Sequence, residues 1–219
     1  RGNDAGATLQ EALDMWGVDG FEVAYNTLVD NHKEGIDCKD GTRNGIIHNN
    51  LVKNQNPNGQ YKYNGVGIYL DGAHGHMYNI EVYNNIVTNK SGQSYPYGPR
   101  PAGIGISDEV FQEPTNSVRD IKVYNNLIYN NPGHGLYVYD GAGEVDIYNN
   151  TIIDNDQRGI YIDDGWKKED LPFNVRVFNN IVRNNGSQID VGSANNIEIA
   201  YNIVSGNSPT GGTANYHDN

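Results

Sequence analysis

One cysteine, two methionines and two tryptophans occur in 219 residues. The lone Cys38 excludes an internal disulfide and any cysteine-based zinc site. No apolar run approaches the roughly 18 residues that a membrane-spanning helix needs. Basic residues are few: 15 Lys and Arg against 27 Asp and Glu, a net charge of −12. That balance argues against nucleic acid and anionic membranes as partners. It also disfavours a polyanionic substrate unless a cation mediates. Apolar residues at helical spacing are nearly absent. No signal-peptide pattern opens the chain, and the first residues read as a coil already in progress. A mature or trimmed chain is therefore expected.

What is present is a repeat. An aliphatic residue, an aromatic or small residue, Asn and then two or three aliphatics recur. The copies are VAYNTLVDN at 23–31, IHNNLVKN at 47–54, VYNNIVTN at 82–89, VYNNLIYN at 123–130, IYNNTIIDN at 147–155, VFNNIVRN at 177–184 and AYNIVSGN at 200–207. They align Asn26, Asn50, Asn85, Asn126, Asn150, Asn180 and Asn202 in one column, at steps of 24, 35, 41, 24, 30 and 22. Such a period, with insertions, suits one turn of a parallel β-helix. Asn tolerates positive φ at a tight corner, and stacked amides can hydrogen-bond along a ladder.

A strand follows each Asn unit: GIDCKDG at 35–41, GIYLDG at 67–72, GIGISD at 103–108, GLYVYDG at 135–141, GIYIDDG at 159–165 and QIDVGS at 188–193, with a degenerate copy, ALDMWG, at 12–17. Alternation points Leu13, Met15, Ile36, Cys38, Ile68, Leu70, Ile104, Ile106, Leu136, Val138, Ile160, Ile162, Ile189 and Val191 inward. Cys38 thus reads as a core residue. Asp14, Trp16, Asp37, Lys39, Tyr69, Asp71, Tyr137, Tyr161 and Asp190 point outward. One coil cannot bury its own apolar face, so stacking is obligatory. The expected fold is all-β, a single-stranded right-handed parallel β-helix of about seven coils over 1–207, with a C-terminal tail at 208–219. No N-terminal cap is evident, which missing coils or a missing partner domain would explain.

Chemistry concentrates at the first coils. Glu11 aligns with Glu34, and Asp14 with Asp37, both 23 residues apart. Adjacent strands lie about 4.8 Å apart. Stacked like charges there would repel by roughly 3–4 kcal/mol per pair at an effective dielectric near 20. A hard cation such as Ca²⁺, which takes oxygen ligands, removes the conflict. A merely solvated acidic face is the alternative. Lys39 follows Asp37 on the same face, and Asp71 shares the Lys39 column one coil later. This is either a structural ladder salt bridge or a catalytic pair. A desolvated lysine near a bound cation has a lowered pKa and can act as general base. It could take the C5 proton of a uronate, with β-elimination of the glycosidic oxygen following.

The repeat, covering about residues 7–207, resembles the pectin-lyase-like parallel β-helix superfamily. KEGID at 33–37, with an acid one coil earlier, is similar to the calcium cluster of family 9 pectate lyases. The resemblance implies Glu34, Asp37 and either Asp14 or Glu11 as metal ligands; Lys33 stands where that family has an acid. EGIDCK at 34–39 resembles family 6 alginate and chondroitin lyases, whose metal-binding Glu precedes the catalytic Lys by five, as Glu34 precedes Lys39. The Arg that family carries one coil later has no counterpart in GIYLDG. GHG at 133–135 is similar to the GHG of polygalacturonases, which would make His134 functional. The paired acids that those hydrolases need one coil earlier are replaced by Ala102, so an ordinary structural histidine is favoured. The Asp-Pro-His signature of alginate epimerases does not occur.

Segments 55–66, 91–102 and 164–173 lengthen three coils and carry Tyr61, Tyr63, Tyr95, Tyr97 and Trp166, suited to stacking on sugar rings. Trp16 and the column Tyr69, Tyr137, Tyr161 would add to that surface, although Tyr is also an ordinary strand residue. Lys62 and Arg100 could clamp a uronate or replace Lys39 as base. His74 and His76 read as turn residues. The leading expectation is a secreted, cell-surface or periplasmic Ca²⁺-assisted polysaccharide lyase acting on a uronate-containing glycan. A glycoside hydrolase using paired acids, or a non-catalytic carbohydrate-binding β-helix, fits the same scaffold.

Overall fold

The computed structural model describes residues 11–31, 33–54, 65–72, 75–89, 101–109, 117–165, 170–205 and 214–217. They form a right-handed parallel β-helix with three sheets of seven, eight and seven strands. Each coil visits the first, second and third sheet in turn, then climbs to the next coil. The first sheet stacks Leu13–Trp16, Ile36–Lys39, Ile68–Asp71, Ala102–Ser107, His134–Tyr139, Arg158–Asp163 and Ser187–Val191. The second runs from Asp19–Ala24 to Ala214–His217, and the third from Thr27–Val29 to Ile203–Ser205. No helix among the described residues is long and apolar enough to cross a membrane.

The repeated Asn unit straddles the corner between the second and third sheets. It therefore hides two strands, one of them only three residues long. The inward residues of the first sheet form one continuous core with those of the other two, and Cys38 is fully buried within it. Leu13 and Met15, on the first coil, are only partly buried against that core.

The Asn column is a hydrogen-bonded ladder. The Nδ2 of each Asn donates to Oδ1 of the next, from Asn26 to Asn50, Asn85, Asn126, Asn150, Asn180 and Asn202, at 3.0 Å throughout. The positive φ expected of this column belongs instead to the residue before it: Asn49, Asn84, Asn125, Asn149 and Asn179 lie at φ 53–56°. The two jobs are split because the ladder amide must point inward, whereas the left-handed residue makes the corner. A second ladder, which the repeat did not reveal, joins Asn131, Asn155 and Asn185 at 2.8 Å per step. Gly135 lies against it: a Cβ there would meet Gly159 O at 2.6 Å and Asn155 Nδ2 at 2.9 Å.

The C-terminal segment differs from the tail expected at 208–219. Ala214–His217 pairs in parallel with Asn195–Ala200 and extends the second sheet. Backbone groups at the open end of a sheet favour such an addition.

Candidate active site

The register of the first sheet sets Asp14 beside Asp37 and Trp16 beside Lys39. It then sets Asp37 beside Tyr69 and Cys38 beside Leu70, which brings Asp71 next to Lys39. The same register continues backwards, with Ala12 N donating to Glu34 O at 3.0 Å. It brings Glu11, Glu34 and Asp37 together, with one oxygen from each lying within 4.8 Å of the others. Asp14 stays outside this group. Its Oδ2 accepts from Trp16 Nε1 at 2.7 Å, and its Oδ1 is 3.9 Å from Lys39 Nζ. The expected fourth ligand therefore stands at the rim.

Two ammonium groups sit among these acids. Lys39 Nζ is 2.8 Å from both Glu11 Oε1 and Asp37 Oδ2. Lys33 Nζ is 2.6 Å from Glu11 Oε1 and 3.2 Å from Glu34 Oε2. Lys33, set aside in the sequence as a departure from a family pattern, thus belongs to the site. Its spacing of 22 residues from Glu11 was the available signal.

Burial governs the electrostatics. Glu34 and Asp37 are almost wholly buried. Loss of hydration pushes both carboxyls up, Glu34 to about 8, with the nearby Asp37 adding to the push, and Asp37 to about 7 against the pull of Lys39. Asp71 is driven up to about 9, first by burial and then by Glu109. Burial also acts on Lys39 by disfavouring its charge, but Asp37 and Glu11 outweigh it and hold the pKa above the ordinary lysine value. This is opposite to the lowered lysine expected from the sequence. The reason is geometric: two carboxylates contact the ammonium directly. Glu11 is likewise desolvated, yet its bonds to Lys33 and Lys39 keep it below the usual range.

Several carboxyl oxygens remain poorly satisfied. Asp37 Oδ1 and Asp71 Oδ1 are buried without a hydrogen-bond partner among the described residues. Among the described residues, Glu34 Oε2 and Asp37 Oδ2 meet the ammonium groups of Lys33 and Lys39, off hydrogen-bonding geometry. Four carboxyls, from Glu11, Glu34, Asp37 and Asp71, face two lysines. Three of them, Glu11, Glu34 and Asp37, bring one oxygen each within 4.8 Å of the others, a donor set that fits a hard divalent cation.

Trp16 is 59% exposed, with its ring centroid 5.7 Å from Lys39 Nζ, so it offers an open aromatic face beside the cluster. The tyrosine column does not. Tyr69, Tyr137 and Tyr161 are 3%, 1% and 7% exposed. Their rings cluster with Tyr139, Val66 and Ala102 on the outside of the sheet. Tyr137 stacks on Tyr139 at 4.2 Å and on Tyr161 at 4.9 Å. Alternation sets the side of the sheet, but it says nothing about what covers it. The Tyr69 hydroxyl donates to Glu109 and lies 2.7 Å from that of Tyr139, a network that the sequence did not suggest. His134 is fully buried beside the stacked pair Tyr137 and Tyr161, its ring tilted against both at 5.1 and 5.0 Å. Lys62, Arg100, Tyr61, Tyr63, Tyr95, Tyr97, Trp166 and His74 lie outside the described residues.

No curated protein sequence matches the chain. Two solved structures of point mutants of the periplasmic alginate epimerase AlgG share the fold, with TM-scores of 0.66 and 0.65 and 19% identity over 95% of this chain. The A-module of the mannuronan C-5 epimerase AlgE4 from Azotobacter vinelandii aligns with a TM-score of 0.50 and 17% identity over 90% of this chain. The chain spans 47% of the AlgG structures and 57% of the AlgE4 module. At these identities the likeness is one of fold. The family model described as "Right handed beta helix region" matches residues 63–219, so the chain belongs to the right-handed β-helix family.

Proposed function

We propose that the chain cleaves a uronate-containing polysaccharide by cation-assisted β-elimination at the Glu11–Glu34–Asp37–Lys39 cluster. One observation carries this reading: Lys39 Nζ bridges Glu11 and Asp37 at 2.8 Å each, beside an exposed tryptophan and buried, unsatisfied carboxyl oxygens. Asp37 Oδ1 and Asp71 Oδ1 are the two oxygens of the cluster left for a further ligand or proton to satisfy.

Glu11, Glu34 and Asp37 would hold Ca²⁺, which neutralises the substrate carboxylate and makes its C5 proton more acidic. Trp16 stacks on a sugar face. Lys39, once its ammonium proton has passed to solvent, takes the C5 proton. The electron pair left at C5 forms the C4–C5 double bond and the C4–O bond breaks. Asp71, kept protonated by burial and by Glu109, gives its proton to the departing oxygen. A secreted, cell-surface or periplasmic location belongs to this proposal, since polymeric substrates lie outside the cytoplasm and one fold neighbour is a periplasmic enzyme.

A second reading shares the first step. If the C5 proton returns to the opposite face before C4–O cleavage, the outcome is epimerisation, the activity named for the fold neighbours. Incubation with pectate, alginate, chondroitin and neutral glycans, with and without Ca²⁺, separates the cases. A lyase releases products with the ultraviolet absorbance of a conjugated uronate, and EDTA abolishes it. An epimerase changes the proton NMR spectrum of the polymer without that absorbance. New reducing ends without absorbance would instead indicate a hydrolase, and retention of the polymer without turnover a binding module.

A further inference from the structure

The outer face of the first sheet carries a second polar site, far along the same column as Asp37. The register places Asp37, Tyr69, Gly105, Tyr137, Tyr161 and Asp190 on successive strands of that face. At its C-terminal end a cleft of about 380 Å³ is lined by Gln157, Arg158, Gly186, Ser187 and Asp190. Five strand spacings separate Asp190 from Asp37, about 24 Å at roughly 4.8 Å per strand.

Arg158 is fixed in this cleft from two sides. Its Nε donates to Asp190 Oδ2 at 2.7 Å, and the same oxygen accepts from Ser187 Oγ at 2.7 Å. Its guanidinium carbon stands 4.1 Å from the centroid of the Tyr161 ring. The terminal nitrogens, with four N–H donors, have no hydrogen-bond partner among the described residues. A guanidinium held flat on an aromatic ring, with Nε already committed, is pre-organised for bidentate binding of a carboxylate. Immobilising it on binding costs little side-chain entropy, because the stack and the Asp190 bond have already ordered it. A simple cross-strand ion pair would need neither the stacked ring nor the open cleft.

We propose that this cleft is a distal subsite that binds the carboxylate of a uronate residue several sugars away from the Lys39 cluster. Arg158 clamps the carboxylate through its terminal N–H groups, while the Gln157 amide and the cleft rim meet ring hydroxyls. The substrate chain therefore runs along the solenoid axis, and affinity depends on its length. The inference rests on the proposed uronate specificity, although it does not need the elimination chemistry.

Calorimetric titration with saturated oligouronates of two to eight units, from pectate and from alginate, tests it, with monomeric glucuronate followed by NMR at residues 186–190. Wild-type affinity should rise sharply once the oligomer is long enough to reach both sites. Arg158→Gln should abolish that rise and weaken the octamer about tenfold, the worth of a charge-assisted hydrogen bond, while leaving the dimer unaffected. Arg158→Lys, which keeps the charge without the fork, should recover only part of it. Octamer affinity unchanged in Arg158→Gln, or neither oligouronate binding nor glucuronate shifts at 186–190 in the wild type, would overturn the proposal. Length-dependent binding that needs Arg158, without unsaturated products, would instead overturn the lyase reading and leave the subsite standing.

Discussion

Lys39 Nζ and Asp37 Oδ2, two residues apart on one strand, lie 2.8 Å apart with Asp37 fully buried. The pair holds the site together and also sets its proton balance. Removing the ammonium leaves Asp37 buried without the cation it contacts, and leaves Glu11 to Lys33 alone. Lys39→Met should therefore abolish turnover and also lower stability by about 2–3 kcal/mol at pH 8, less than for a wholly buried pair because Lys39 is partly exposed. Denaturant unfolding of Lys39→Met against Lys39→Met/Asp37→Asn checks this: the double variant should regain most of the loss. A single variant as stable as wild type would contradict the coupling.

Stability should depend on pH and on Ca²⁺ in a linked way. The folded-state pKa values of Glu34 and Asp37 are raised to about 8 and about 7, against ordinary values of 4.5 and 3.8. Between those limits the folded chain binds more protons than the unfolded chain, so these two groups make stability fall as pH rises from about 4 to about 8. Glu11, held low, acts oppositely and only in acid, losing its contribution as pH falls through its folded pKa. The raised Lys33 and Lys39 lose theirs only in strong alkali. A cation can replace the missing protons. Millimolar Ca²⁺ should raise the melting temperature clearly at pH 8 and little at pH 5. Equal shifts at both values would argue against binding at these acids.

Catalytic pH dependence should show the same competition. Lys39 is a base only once its ammonium has lost its proton, so activity at low, subsaturating Ca²⁺ should climb into the alkaline range. Ca²⁺ engaging Glu11 and Asp37 removes the partners that hold the ammonium, and the rising limb should move to lower pH. A profile of kcat/KM against pH at several Ca²⁺ concentrations reads this directly. A limb that does not move would place the base elsewhere.

The Asn ladder should be the costliest polar feature to break. Asn126 Oδ1 accepts from both the backbone N and Nδ2 of Asn85, and its Nδ2 donates to Asn150 Oδ1, Val82 O and Tyr124 O. Asn126→Ala leaves several of these buried partners unsatisfied and should cost about 3 kcal/mol. Urea unfolding measures it; a loss under about 0.5 kcal/mol, the range of a surface substitution, would show that the ladder contributes little.

Cys38 should resist modification in the folded chain, because burial both shields the thiol and raises its pKa. Ellman's reagent should react only as fast as the protein opens. Cys38→Asp should lower the melting temperature sharply, and an unperturbed melting curve would contradict its inward placement.

Much of this was legible because a solenoid writes its geometry into spacing. The 23-residue offset between Asp14 and Asp37 gave their register, and alternation gave the inward side chains from Ile36 to Val191. The second sheet was obscured because its strands end inside the Asn unit and lead into three-residue strands too short to show a period. Exposure was not legible at all. Tyr69 and Asp37 point outward yet are buried, since cover depends on contacts remote in sequence. The charge state of Lys39 was hidden for the same reason: it follows from the distances to Glu11 and Asp37, and residue type alone pointed the other way.

The amide column spans sequence gaps from 22 to 41 residues at one constant hydrogen-bond length, so variation in coil length is absorbed entirely elsewhere. The solenoid can therefore be edited like a ruler. Excising residues 126–149 would remove one whole turn and bring Asn150 under Asn85, leaving the residues of both polar sites in the chain. Arg158 and Lys39 would then stand closer by a single graduation, about 4.8 Å. The oligomer length that gains from engaging both should shorten in step, so chain-length selectivity becomes a property set by the number of turns between two fixed marks.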